Sequence, residues 1–122
     1  MIVGEVTPDR EAVVRVRIRN SQGATREFDA IIDTGFTDYI TLPQNVIDDL
    51  ALPFDNTITL YLAGNTQAVF DMHWVTVEWD GNNRDVLAYK AEGVPLIGMS
   101  LLQGFHLGID GVDGGKVVIV QI

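Results

Sequence analysis

A carboxylate, a hydroxyl and a glycine stand in a row at Asp33-Thr34-Gly35, directly after the apolar pair Ile31-Ile32. Phe28, Ala30, Ile31 and Ile32 read as a strand entering a core, and Gly35 permits the sharp turn where that strand ends. Asp33 is thereby set at the rim of a core, a position that suits a carboxyl group to proton transfer. A plain Asp-Thr-Gly turn that only reverses the chain has the same three residues. The surrounding segments must decide between the two.

The elements that would hold this loop are mostly strands. Val14, Val16 and Ile18 alternate with Arg15, Arg17 and Arg19, the period-two pattern of a half-exposed strand over Val13–Arg19. Asn20-Ser21-Gln22-Gly23 supplies a turn, and a returning strand over Thr25–Asp33 completes a hairpin whose far end carries Asp33. Pro43–Leu50 has helical spacing in Val46, Ile47 and Leu50, with Asp48 and Asp49 on the wet face. Further strands are expected over Thr57–Leu62, Ala68–Trp79, Val86–Lys90, Leu107–Ile109 and Lys116–Ile122. Gly64-Asn65, Asp80-Gly81-Asn82-Asn83 and the acidic run from Asp110 to Gly115 punctuate them. Met99–Gly104 is the second helical candidate. The pattern predicts one all-β domain over residues 1–122, a closed or nearly closed barrel with one or two short helices.

Composition narrows the function. At 122 residues a bilobal protein is excluded, and the absence of Cys removes disulfides, thiolate metal sites and a cysteine nucleophile. A formal charge of −9 offers no basic stripe for a phosphate backbone, so nucleic acid is not an expected partner. Met1 is followed by Glu5, Asp9, Arg10 and Glu11 with no basic leader region and no long apolar run, which predicts a cytoplasmic protein with no membrane partner. A hydrophobic share of 47% is high for a small monomer and suggests that apolar surface is covered in a subunit interface. His73 and His106 each lack a second ligand at metal spacing, and the Asp110–Gly115 turn lacks the alternating ligands and terminal Glu of a calcium loop. Neither metal nor cofactor is expected.

Four segments in order carry a resemblance: Asp33-Thr34-Gly35, Tyr39-Ile40-Thr41-Leu42-Pro43, Leu62-Ala63-Gly64-Asn65, and Pro95-Leu96-Ile97-Gly98-Met99-Ser100-Leu101-Leu102. Together they resemble the retropepsin-like aspartic proteases, closest to the small single-domain bacterial branch, from about residue 12 to the C-terminus. Phe36 departs from the pattern, since viral members usually carry Ala there and pepsin-like lobes Ser or Thr. The resemblance implies that Leu96-Ile97-Gly98 packs beside the Asp33 loop and that Ala63–Thr66 forms the tip of a mobile flap. It also implies that Thr34 donates its hydroxyl to the partner's main chain.

Acid-protease hydrolysis needs two carboxylates close enough to share a proton, one acting as base on a water while the other polarises the carbonyl. Only one Asp-Thr-Gly is present, because Asp80-Gly81, Asp110-Gly111 and Asp113-Gly114 lack the middle hydroxyl residue. The second carboxylate is therefore expected from Asp33 of a second copy, in a two-fold symmetric homodimer. Asp33, Thr34 and Gly35 form the expected catalytic set of an aspartic endopeptidase. Gly64 and Asn65 are expected to bind a peptide or protein substrate by strand addition. The alternative is a non-proteolytic peptide-binding or adaptor module on the same dimeric fold.

Overall fold

The protein is described by a computed structural model covering residues 1–122. Its strands are β1 (Ile2–Val6), β2 (Ala12–Arg19), β3 (Thr25–Ile32), β4 (Ile40–Leu42), β5 (Phe54–Leu62), β6 (Thr66–Trp79), β7 (Asn82–Lys90), β8 (Leu96–Ile97), β9 (Phe105–Ile109) and β10 (Lys116–Gln121). Two short helices, α1 (Gln44–Asp49) and α2 (Met99–Leu102), interrupt them. No helix is long and apolar enough to cross a membrane.

The alternation read in β2 is realised residue by residue. Val14, Val16 and Ile18 are buried while Arg15 and Arg17 face water, and Arg17 pairs with Glu27 across the β2–β3 hairpin. In α1 the spacing buries Val46 and Ile47 and leaves Asp48 and Asp49 wet, with Pro43 just before the first turn. Between β6 and β7 the chain reverses at Asp80-Gly81, both at positive φ (50° and 81°), the two-residue hairpin turn that matches strand twist.

All ten strands join one sheet in the order β5-β6-β7-β4-β8-β3-β2-β1-β10-β9. Because β2 also pairs with β6 through Arg17–Glu78, Ile18–Val77 and Arg19–Thr76, the strands from β6 to β2 close a hydrogen-bonded ring. Ile18, Ile40, Leu42, Val77, Trp79, Ile97 and Leu101 are buried in the core so enclosed. Burial of such side chains contributes about 1.5–3 kcal/mol each, the main force holding the ring together. Outside the ring, β5 extends from β6 as a hairpin arm, and β1-β10-β9 extends from β2.

Three strands lie outside the expected set: β1, β4 and β8. Each is short, and β4 and β8 are fixed by parallel pairing with β7 and β3, segments remote in sequence. Several bounds also move. β5 begins at Phe54, β7 at Asn82 and β9 at Phe105, while α2 stops at Leu102 because Gln103 turns extended and Gly104 takes φ 87°.

Candidate active site

β3 ends at Ile32 and delivers Asp33 into a tight loop. The Asp33 carboxylate accepts the Gly35 N–H through Oδ1 at 2.9 Å, and the Phe36 N–H bonds back to the Asp33 carbonyl at 3.1 Å. This Asx turn fixes one carboxylate oxygen and leaves Oδ2 without a partner in the chain. Asp33 is half-buried, whereas Thr34 and Gly35 are exposed, and the Thr34 hydroxyl makes no hydrogen bond within the chain.

The segment Leu96–Ser100 locks the loop from behind. Asp33 N–H reaches the Ile97 carbonyl at 2.9 Å, Gly98 N–H the Tyr39 carbonyl at 3.0 Å, and Met99 N–H the Phe36 carbonyl at 2.8 Å. Gly98 has to be glycine for this approach. A Cβ there would lie 2.1 Å from the Asp38 carbonyl oxygen and 2.7 Å from that of Phe36. Thr41 adds a further tie, its buried hydroxyl accepting the Leu96 N–H at 2.9 Å.

The expected flap is the β5–β6 hairpin. Its register pairs Ile58 with Phe70, Leu60 with Ala68 and Leu62 with Thr66, which puts these residues on one face. Leu60, Leu62 and Phe70 line a cleft of about 390 Å³ whose opposite wall carries Asp33, Gly35, Phe36 and Tyr89. The hairpin turns at Ala63–Asn65 with Gly64 at φ 80° and Asn65 at φ 62°. Gly64 and Asn65 are exposed at the tip and do not line this cleft within one chain. A second cavity of about 560 Å³ opens on the other side of Asp33, between the β1–β2 turn and the β9–β10 loop.

One cluster in the site escaped the sequence reading. The phenol of Tyr89, almost fully buried, donates to the Asp38 carboxylate, and the Phe36 ring packs edge-on against it at 5.3 Å. Phe70 of the flap face lies 5.6 Å from the same ring. Burial first, then the Asp38 carboxylate, pushes the Tyr89 pKa up to about 12, so the phenol stays a neutral donor. Phe36 thus has a place as the aromatic side of this cluster. No local pattern announces a bond across 51 positions. Of the apolar residues near the site, Ile40 and Ile97 are fully buried core, Leu96 borders both cavities, and Val94 is exposed.

No family model and no curated protein sequence matches the chain. Among solved structures, the crystal structure of a retropepsin-like aspartic protease from Rickettsia conorii superposes with a TM-score of 0.53 at 19% identity. The match covers 97% of this chain and 86% of that one, so it spans the ring, the hairpin arm and the β1-β10-β9 extension alike. This chain has the fold of a retropepsin-like aspartic protease.

Proposed function

We propose that the protein is an aspartic endopeptidase whose active site is assembled from Asp33 of two identical chains. The observation that carries this reading is the state of Asp33. One carboxylate oxygen is immobilised by the Gly35 amide, the other is free, and the group faces the cleft beneath the β5–β6 hairpin. A single carboxylate so placed lacks the proton-sharing neighbour that water activation requires. A two-fold axis beside the loop supplies it. One Asp33 then takes a proton from water while the partner's Asp33, protonated, polarises the scissile carbonyl, and no covalent intermediate forms.

The remaining residues support the same arrangement. Thr34, exposed and unpartnered, is free to donate across the axis, and Gly35 without a side chain lets the second loop approach. The apolar face of the hairpin covers an extended peptide, and Gly64 and Asn65 offer main-chain groups at its tip. Cofactor chemistry has no part in this reading, and the substrate is a peptide or protein.

Incubation of the purified protein with a diverse peptide library from acidic to neutral pH, read by mass spectrometry, tests the proposal. Cleavage that Asp33→Asn abolishes is the expected result. Peptide capture without turnover would select a binding module on the same fold and overturn the peptidase reading.

A further inference from the structure

Phe36 stands where the Asp33 loop meets the floor of the cleft of about 390 Å³. Its main chain is tied at both ends of the residue: the Phe36 N–H donates to the Asp33 carbonyl at 3.1 Å, and the Phe36 carbonyl accepts the Met99 N–H at 2.8 Å. Its ring is held as well. A Cβ on Gly98 would lie 2.7 Å from Phe36 Cδ2, so the ring fills space that Gly98 leaves by having no side chain. The ring also meets Tyr89 edge-on at 5.3 Å, and Tyr89 is almost fully buried and anchored to Asp38 through its phenol. A ring seated this way cannot step aside without breaking the packing behind the loop.

The rest of the lining is mostly carbon. Leu60, Leu62 and Phe70 come from the β5–β6 arm and Leu96 from the opposite wall, and Asp33 is the one charged residue in the cleft. The Tyr89 phenol is taken by Asp38, and the Thr41 hydroxyl by the Leu96 N–H. A charged or amide side chain entering beside Phe36 would lose water and find few partners. The cleft lies toward the small end of ligand sites, which run from roughly 300 to 1,000 Å³, and a peptide's main chain takes part of that room.

We propose that Phe36 sets the size of the side chain this cleft accepts: an aliphatic group up to that of leucine fits between the Phe36 ring and the arm, and an indole does not. The arm can retreat from a larger group, but it then fails to close over the peptide beside Asp33. The floor cannot retreat. The proposal rests on the reading that an extended peptide lies in this cleft, and it names the kind of residue that peptide carries there.

Competition between paired peptides tests it. The probe is a peptide that the library experiment shows to be cleaved or captured, resynthesised with Leu or with Trp at each position in turn. The two forms compete in one tube, so the ratio of their kcat/KM values does not depend on how much of the protein is folded. At the position that enters the cleft, the parent should favour Leu over Trp by about tenfold or more, and Phe36→Ala should bring the ratio to one or reverse it. Phe36→Leu, which keeps part of the packing against Gly98, should fall between the two. A parent that takes Trp as well as Leu at every position would overturn the proposal, as would ratios that none of the substitutions at Phe36 changes.

Binding supplies a second measurement that needs no turnover. The same peptide pairs are titrated against Asp33→Asn, alone and combined with Phe36→Ala, and the ratio of dissociation constants should shift in the same direction as the ratio of kcat/KM values. Size selection in binding, without cleavage by the parent, would leave the proposal standing while the peptidase reading fell. Cleavage with a Leu-to-Trp ratio indifferent to Phe36 would do the reverse. A library from which nothing is cleaved or captured would overturn both.

Discussion

Around Asp33, backbone bonds from Asp33, Gly98 and Met99 tie the loop to the Leu96–Ser100 segment, and Gly98 lets the two backbones touch. Across the cleft, the β5–β6 hairpin arm N-terminal to Met72 in β6 is held by its own ladder, one Lys90–Asp71 ion pair and an apolar face formed by Leu60, Leu62 and Phe70. The loop has many partners and no room, and the arm has few partners and an exposed tip. In the proposed peptidase, such a division holds the reacting carboxylate still while leaving its cover able to open at the cost of a few apolar contacts. Substitutions that loosen the loop or stiffen the arm separate the two roles.

The largest effect is expected at Gly98. In Gly98→Ala the new methyl collides with main-chain oxygens of Asp38 and Phe36, which cannot move without displacing the Asp33 loop. Urea unfolding should show a loss of about 3 kcal/mol or more. Parental stability in this variant would mean that the packing behind the loop is not what holds it.

At the arm, Gly64→Val forces a branched side chain into φ 80° at a position with open space around it. Stability should fall by only about 1–2 kcal/mol. Turnover of a cleaved peptide should fall by about tenfold or more, because the stiffened tip no longer opens and closes freely. Gly64→Asn, which tolerates this backbone conformation, should stay near the parent in both assays. Equal losses in stability and turnover for the valine variant would erase the distinction between arm and loop.

A smaller effect belongs to the aromatic cluster that joins the two walls. Tyr89 is neutral in the folded protein up to about 12, against an ordinary value of 10.0. Its stabilising contribution is therefore complete below pH 10 and is lost as pH rises through that interval. Tyr89→Phe keeps the ring contacts with Phe36 and Phe70 but leaves Asp38 without its donor. It should cost about 1–2 kcal/mol at pH 7. Its stability should then decline less than the parent's between pH 10 and pH 12, measured as urea midpoints across that range. Parallel decline in both proteins would remove Tyr89 from the account.

What the sequence could disclose follows the range of the forces involved. Alternation of Val14, Val16 and Ile18 with arginines encodes its strand locally, and Gly64-Asn65 marks a turn because few residues accept positive φ. The Asp33 loop is legible for the same reason, its carboxylate, hydroxyl and glycine being adjacent. β8 is two residues long and exists only because β3 and β4 flank it. β1 was hidden by Gly4, which interrupts the apolar pattern yet is needed there, since a Cβ would lie 2.0 Å from the Val13 carbonyl oxygen. The Tyr89–Asp38 bond depends on which strands become neighbours, and that is decided by the whole sheet.

The central claim is that Asp33 works only beside another Asp33, and subunit exchange tests it most directly. Equal amounts of the parent and Asp33→Asn are combined, diluted to dissociate and reconcentrated, and peptide cleavage is compared with that of the same mixture before exchange. Mixed dimers carry one carboxylate, so the account predicts that exchange lowers the activity to roughly half. Activity unchanged by an exchange that mass spectrometry shows to be complete would mean that each chain acts alone, contrary to the shared pair.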